Sequence, residues 1–309
     1  MPTTSNASSI RGDIYKNSFY QRLIIELRKK VFRSITRNAL PLFFRVGDII
    51  SISPILRGTY EPQMNRLFSA LCGIGFSDYL LDIGANIGLT TIQNSSRFSL
   101  LFAYEPNPTA FAVLTANCEQ IDSKRLHLFP FGIGARDEVL ELRVPKSNMG
   151  GGFIPGDNNY YSEDAIAAKE TFQQKEETSY GVVQVQIKCG AVTLGEAFKA
   201  LRKSGQTSGV IKIDTEGYEL TILRQIAASK RDGIEFVAVF ENWKSSLTEQ
   251  DVLDIFAGNG FVYKLEWNMG GLNNIQQFMQ LAVHGERFSV TDSYHALVGT
   301  VIYATRSLL

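Results

Sequence analysis

The stretch "YLLDIGANIGLTTIQ", residues 79–93, decides the fold. Its first five residues, 79–83, are almost all apolar and predict a short buried strand. Two glycines, Gly84 and Gly88, then predict a tight turn, and residues 87–95 have a helical pattern. A strand, a glycine turn and a helix in this order are typical of the first unit of a nucleotide-binding α/β sheet.

The alternation of strands and helices continues along the chain. Further strands are predicted at 100–105, 125–131, 138–144, 182–189, 209–214, 234–241 and 260–266. Helices are predicted at 107–119, 219–228 and 248–257. The last strand-like segment, 296–305, is predicted to be an antiparallel edge strand. Repeated β-α-β units predict an α/β fold with a doubly wound, mostly parallel sheet, and a ligand site at the carboxyl ends of its strands.

The bulk composition excludes several classes of protein. Of the 309 residues, 44% are hydrophobic and 20% are charged, which fits a folded globular chain, and a formal net charge of zero argues against a nucleic-acid partner. The three cysteines are scattered and form no zinc or disulfide framework. The sequence has no signal-peptide pattern and no apolar run long enough for a bilayer, so we expect a cytoplasmic protein.

The N-terminal segment is chemically different from the rest. Residues 1–45 carry nine Lys and Arg against two acidic residues, a balance of +7. A helical stripe is predicted within 18–38 by the apolar residues Ile24, Leu27, Val31 and Ile35. Two interpretations stay open: a basic helix in peripheral contact with an anionic membrane, or a helix that docks on its own domain or on a dimer partner.

These patterns divide the chain into two parts. Residues 1–55 are expected to form a basic helical extension, and residues 56–309 to form the main domain. Within that domain, residues 145–180 interrupt the alternation with a glycine-rich and then polar stretch. A connection of this length is either functional or without structure of its own, so it is predicted to be an inserted loop or a lid.

The glycine turn restricts which ligand it can hold. Its G-x-x-x-G spacing is neither the G-x-G-x-x-G of a dinucleotide site nor a P-loop, and Asp82 before it would repel a phosphate. An acid there suits a cationic amino group, whereas the helix that follows suits a carboxylate. Glu105, 21 residues after Gly84, stands where an acid would bind both hydroxyls of a ribose. The two features favour S-adenosylmethionine; a nicotinamide-dependent oxidoreductase stays as an alternative.

Four segments carry a family resemblance: "GTYEP" (58–62), "LLDIGANIGLTT" (80–91), "YEPNP" (104–108) and "IKIDTEGYE" (211–219). Together they resemble the FkbM-type family of S-adenosylmethionine-dependent methyltransferases. The resemblance implies a Rossmann-like class I methyltransferase fold and O-methylation of a hydroxyl on a sugar, glycan or secondary metabolite. One departure is Gly195, where the family usually has an acid. The residues implied to hold the cofactor are Asp82, Gly84, Ala85, Asn86, Gly88, Glu105, Pro106 and Asn107.

Catalysis requires a group that accepts the proton of the acceptor hydroxyl. The predicted catalytic residues, Asp214, Glu216 and Glu241, lie at or near the ends of two strands that we expect to be neighbours. Asp214 or Glu241 would be a desolvated general base. In the alternative, Asp214, Glu241 and Asn242 would hold Mg²⁺, although no dedicated metal site is predicted.

Several other residues are weaker candidates. Glu219 is expected to open the helix that follows it, and His127 to pack within a strand. His284 and His295 are secondary candidates for the base, and Trp243 would either stack on a sugar or pack in the core. A third class also stays open, a non-catalytic subunit of a glycan pathway that binds S-adenosylmethionine without turning it over.

Overall fold

The computed structural model describes residues 19–35, 37, 42–44, 49–145, 149–155, 180–242, 247–267, 288–292 and 297–308. Its helices are α1 (Phe19–Ile35), α2 (Ile52–Arg57), α3 (Pro62–Gly73), α4 (Leu89–Asn94), α5 (Pro108–Asn117), α6 (Gly190–Ser204), α7 (Glu219–Ala228) and α8 (Glu249–Ile255). Its strands are β1 (Tyr79–Ile83), β2 (Leu100–Tyr104), β3 (Leu126–Phe129), β4 (Gly132–Gly134), β5 (Glu138–Pro145), β6 (Tyr180–Cys189), β7 (Ser208–Ile213), β8 (Glu235–Asn242), β9 (Phe261–Trp267), β10 (Phe288–Thr291) and β11 (Gly299–Ala304).

Eight strands form the main sheet, in the order β3-β2-β1-β7-β8-β11-β9-β10. The five strands from β3 to β8 pair in parallel, and β11 pairs antiparallel with both β8 and β9. The strand order reverses between β1 and β7, because the chain first builds outward to β3 and then returns to the other side of β1. This is the α/β class I methyltransferase fold that the sequence predicts, with its ligand crevice at the reversal point.

The main sheet is buried on both faces, which explains its continuous apolar strands. All five residues of β1 are buried, as are the last five of β7. One face packs against α6 and α7 through residues such as Phe198, Leu201 and Ile222, and the other packs against α3 through Phe68 and Leu71. The rigid sheet therefore fixes the positions of the residues that follow its carboxyl ends.

Two of the predicted strands belong to a different sheet. The segments 138–144 and 182–189 are strands, β5 and β6, but they pair antiparallel with each other and form a second, three-stranded sheet with β4. Their apolar and polar residues alternate because only one face is covered, through Leu142, Val185 and Ile187. The long 145–180 segment is thus the connection of an antiparallel hairpin.

The prediction for the last strand was half right. Within the predicted 296–305 segment, Gly299–Ala304 form β11, which is antiparallel as expected, but it lies between β8 and β9 and is not an edge strand. Its run of buried residues, Val301–Ala304, fits this interior position. Helices α3 and α6 were not predicted. Gly195, the departure from the family pattern, lies inside α6, where an added Cβ would only touch the Lys230 amide at 3.8 Å.

Other predictions fall partly or wholly outside the described residues. Trp243, His284 and His295 lie there, as do residues 156–179 of the inserted segment. The expected boundary between 55 and 56 falls within α2. No helix in the described parts of the chain is both long and apolar enough to cross a membrane.

Candidate functional site

A cavity of about 280 Å³ opens at the carboxyl ends of β1, β2, β7 and β8. The second sheet and the segment 150–154 close its opposite side. The residues that line it are Ile50, Tyr60, Glu61, Ile83, Gly84, Asn86, Glu105, Pro106, Asn107, Gly132, Ile133, Leu142, Gly150, Gly152, Ile154, Ile187, Asp214, Thr215, Glu216, Tyr218 and Glu241. The cavity lies at the reversal point of the main sheet, where α/β folds bind their ligands.

The glycine turn after β1 is held between the two strands beside it. The amides of Gly84 and Ala85 both donate to the carbonyl of Tyr104, each at 3.0 Å. Gly84 has φ +80°, and a Cβ there would lie 1.8 Å from the carbonyl oxygen of Asp214. Only glycine fits both this conformation and this close approach. The turn therefore presents its backbone to the cavity.

Glu105 is positioned by two backbone amides at the cavity wall. Its Oε2 accepts from the Asn86 amide at 2.8 Å, and its Oε1 accepts from the Asn107 amide at 2.7 Å. Burial raises the pKa of Glu105 to about 7, although the Asn107 and Asn86 amides and nearby Lys212 act to lower it. The side chain links the glycine turn to the start of α5 and keeps one free lone-pair direction on each oxygen.

Asp82 and Lys212 form a buried ion pair beneath the cavity. The Asp82 side chain is fully buried; its Oδ2 accepts from the Thr91 hydroxyl at 2.7 Å, and its Oδ1 lies 3.2 Å from Lys212 Nζ. Lys212 Nζ also lies 3.1 Å from Asp214 Oδ2 and 3.5 Å from the Gly84 carbonyl oxygen. Burial opposes the charge on Lys212, yet Asp214, Asp82 and Glu61 hold its pKa well above its ordinary value. One lysine thus joins β1, β7 and the glycine turn.

Glu61 adds a carboxyl group that faces the strand ends. It is the N-cap residue of α3, and it lines the cavity beside Tyr60. Burial raises the pKa of Glu61 to about 7; Asp214 and Glu241 raise it further, whereas Lys212 and the hydrogen bond with Tyr60 lower it. A carboxyl group of this pKa exchanges protons near neutral pH.

Strained backbone is concentrated at this cavity. Four non-glycine residues in the described parts of the chain have positive φ, and three of them line the cavity: Glu61 at +40°, Asn86 at +51° and Glu216 at +51°. Such conformations cost on the order of 1–3 kcal/mol each and persist where the surrounding structure fixes them. This clustering is typical of a functional site.

The loop after β7 is held by Glu219, the first residue of α7. Its Oε1 accepts from the Thr215 amide and hydroxyl, both at 3.1 Å, and its Oε2 accepts from the Gly217 amide at 3.0 Å. Glu219 therefore organises the loop that presents Asp214 and Glu216 to the cavity. This fits the prediction that it opens the helix.

The structure brings most of the predicted residues together. All three predicted catalytic residues line the cavity, as do five of the eight predicted cofactor residues: Gly84, Asn86, Glu105, Pro106 and Asn107. Asp82, Ala85 and Gly88 do not line it. Asp82 is committed to Lys212, Ala85 packs beneath the turn, and Gly88 caps α4 with its Cα facing Leu114.

Two further candidates have structural partners. The Asn242 side chain is fully buried, and its Nδ2 donates to the Leu247 carbonyl at 2.9 Å and to the Leu297 carbonyl. Its Oδ1, the oxygen that the magnesium hypothesis required, accepts from the Leu247 amide at 3.4 Å. Within the described residues, no three His, Cys, Asp or Glu side chains are grouped so that they could hold a metal ion. His127 stacks on Phe102 with ring centroids 4.8 Å apart, as the packing hypothesis expected.

Sequence reasoning missed Tyr60, Glu61 and Lys212 as site residues. A signal existed for each of them. Tyr60 and Glu61 belong to the "GTYEP" segment that carries part of the family resemblance, and Lys212 is a charged residue inside the apolar strand "GVIKID". A lysine in a buried strand requires an acidic partner.

Comparisons with known proteins identify the family of this chain. The family model described as "Methyltransferase FkbM domain" matches residues 82–263, more than half of the chain. The hexuronic acid methyltransferase AglP of Haloferax volcanii is 27% identical over 164 residues, 52% of this chain. The match covers 55% of that relative, so the chain spans only about half of its length.

Solved structures of similar proteins include two methyltransferases. The methyltransferase FkbM from Methylobacillus flagellatus has a TM-score of 0.32 and 12% identity, over 91% of this chain and 60% of that one. The O-methyltransferase from Bacillus cereus has a TM-score of 0.36 and 10% identity, over 95% and 93%. Both TM-scores are low, so the assignment to a family rests on the family match.

Proposed function

Because this chain belongs to the FkbM methyltransferase family, we propose that it transfers a methyl group from S-adenosylmethionine to a hydroxyl of a neutral sugar, glycan or similar metabolite. The observation that carries the proposal is the set of carboxyl groups around the cavity. Glu61, Glu105, Asp214, Glu216 and Glu241 line it, and no lysine, arginine or histidine is among its described lining residues.

This charge distribution favours a cationic cofactor. S-adenosylmethionine carries a sulfonium and an ammonium group, which carboxylates attract, whereas the pyrophosphate of a nicotinamide cofactor would be repelled. Asn86 Oδ1 is buried with no hydrogen-bond partner in the described structure, so it is available to accept from a ligand. The residues present therefore fit S-adenosylmethionine better than a dinucleotide.

The ribose and the amino acid end of the cofactor both have matching groups in the cavity. Glu105 would accept from the two ribose hydroxyls, since each of its oxygens makes only one hydrogen bond to the backbone. The Gly84 turn would place its backbone against the amino acid end of the cofactor, with Asn86 as an additional acceptor. Bound there, S-adenosylmethionine supplies an activated methyl group, and the protein has to orient the acceptor and take up its proton.

Glu61 is the strongest candidate for the general base. Asp214 is already engaged in an ion pair, since its Oδ2 lies 3.1 Å from the Lys212 ammonium. Glu61 has a pKa of about 7, which suits proton uptake at neutral pH. We propose that Glu61 takes up the proton of the acceptor hydroxyl. Asp214, Glu216 and Glu241 would position the acceptor through their carboxylate oxygens.

The carboxyl groups around the cavity also indicate the chemical class of the acceptor. The name of the archaeal relative indicates a hexuronic acid, which carries a carboxylate of its own. The described wall of this cavity would repel such a group, so a neutral hydroxyl-bearing acceptor is favoured. Carboxylates bind sugar hydroxyls well because they accept from two hydroxyls at once.

The activity can be tested with isotopically labelled S-adenosylmethionine. Incubation with extracts of neutral glycans and metabolites should give products that carry the labelled methyl group by mass spectrometry, and an acidic glycan fraction should give fewer. Binding of the cofactor without any labelled product would instead support a non-catalytic subunit. Hydride transfer to a nicotinamide cofactor would support the oxidoreductase.

Two variants separate cofactor binding from catalysis. Glu105→Ala should weaken S-adenosylmethionine binding in calorimetry, and unchanged affinity would remove the ribose assignment. Glu61→Gln should leave that affinity intact and lower kcat about 10²- to 10⁴-fold. The control is Glu196→Gln, which changes an exposed acid on α6. Full Glu61→Gln activity would move the base to Glu241.

A chelation experiment addresses the magnesium hypothesis. Turnover should be unchanged in excess chelator, because Lys212 and the carboxyl groups provide the charges that the mechanism needs. Loss of turnover that added Mg²⁺ restores would contradict the direct acid–base mechanism.

A further inference from the structure

Helix α1 exposes a continuous apolar stripe. Leu23, Leu27 and Val31 are 56%, 63% and 50% exposed, and Ile24 is 38% exposed. At about 100° per residue these four positions fall within an arc of about 100° on one side of the helix. Docking on the chain's own domain would have buried them. An exposed apolar row of this kind marks an interaction surface.

Cationic residues border the stripe on both sides. On the same helical projection, Lys30 lies next to Leu23 at one edge, and Arg28 lies beyond Ile24 at the other. Lys29 and Arg33 occupy the opposite face, and within the described part of the helix Glu26 is the one acid, paired with Lys29 at 2.7 Å. Long cationic side chains at such edges can lay their stems along an apolar layer while their charges stay in water.

We propose that α1 lies on the surface of an anionic lipid bilayer, with its apolar stripe in the interface and its cations at the headgroups. This goes beyond the proposed methyl transfer. A second copy of α1 is a poor partner for the apolar stripe, because two helices with an excess of positive charge repel each other. The helix has 17 residues and is about 25 Å long, and it is too polar to span a bilayer, so it lies in the plane of the surface.

The structure also ties the helix to the cofactor site. Eight residues after the end of α1, the Phe43 amide donates to Asn117 Oδ1 at 2.7 Å, and Asn117 Nδ2 donates to the carbonyls of Phe43 and Ile87. Asn117 thus links the chain after α1 to the glycine turn. Eight extended residues span at most about 29 Å, so α1 on a bilayer would keep the cavity close to the lipid surface.

The test is co-sedimentation of the full chain with vesicles. Binding is expected for vesicles that mix phosphatidylcholine with phosphatidylserine, not for phosphatidylcholine alone, and it should fall as salt rises. Replacing Leu27 and Val31 together by Glu should weaken binding at least about tenfold. Replacing Arg28 and Lys30 together by Gln should weaken it about 25-fold, at about fivefold per cation.

Control variants test whether the loss of vesicle binding is specific to α1. Val192 on α6 is 65% exposed, so Val192→Glu introduces a negative charge at an exposed apolar position of another helix and should leave vesicle binding unchanged. S-adenosylmethionine binding by each variant shows that its domain is folded. The proposal is overturned if the wild type does not bind anionic vesicles, or if the variant with Leu27 and Val31 replaced binds them as well as the wild type does. It is also overturned if the wild type is a dimer in sedimentation and this variant is not.

Discussion

The buried Lys212 predicts a large and specific loss of stability. Lys212→Met keeps the length and apolar stem of the side chain but removes its ammonium group. Asp82 is then left without the cation 3.2 Å away, and because its side chain is fully buried, water cannot replace that partner. Breaking a buried ion pair in this way costs about 3–5 kcal/mol. At roughly 2–4 °C per kcal/mol for a domain of this size, Tm should fall by about 6–20 °C.

Urea denaturation followed by circular dichroism measures this loss. Lys199→Met is the matched control, because Lys199 is 71% exposed in its pair with Glu196, and its removal should cost less than about 0.5 kcal/mol. Asp82→Asn combined with Lys212→Met should recover stability relative to Lys212→Met alone, with a coupling of about 2 kcal/mol. If Lys212→Met lay within about 1 kcal/mol of the wild type, the reasoning from burial would be refuted.

Three further predictions concern the cofactor site. Gly84→Ala should abolish S-adenosylmethionine binding, since its Cβ would lie 1.8 Å from the Asp214 carbonyl oxygen. The control variant Gly195→Ala should be neutral or stabilising by about 0.5–1 kcal/mol. If the two variants had the same cofactor affinity in calorimetry and the same stability in thermal unfolding, the geometry of the turn would be contradicted. Because the pKa of Glu105 is raised to about 7, cofactor affinity should rise from pH 6 to pH 8, and Glu105→Gln should remove that rise. The same shift stabilises the cofactor-free protein below the ordinary pKa of 4.5, and this stabilisation is lost as pH rises through about 7, which pH-dependent unfolding can check.

Local sequence patterns were sufficient for the central part of the fold. Strand β1 and helix α7 begin and end at the residues that their apolar patterns predict. The convergence of Glu105, Asp214 and Glu241 was also predictable, because parallel strands bring their carboxyl ends to one edge. For these elements, periodicity and the direction of the strands contain the necessary information.

Pairing between distant segments was not predictable in the same way. A period of two shows that β6 has one exposed face, but it does not show that its partners are β4 and β5 and not the main sheet. The interior position of β11 depends on pairing with β8, whose residues lie about sixty positions earlier. Glu61 enters the site from a helix that precedes β1, so no strand-end argument could identify it.

The cavity has walls from two different sheets. Gly132, Leu142 and Ile187 of the second sheet form one wall of the cavity, while Gly84 and Glu105 directly follow β1 and β2 of the main sheet. Under the proposed function, the connection of the β5 and β6 hairpin would be separate from the strands after which the proposed cofactor residues lie. For an engineer, this hairpin is the natural unit to exchange between relatives when a new acceptor is wanted and the methyl donor is to stay the same.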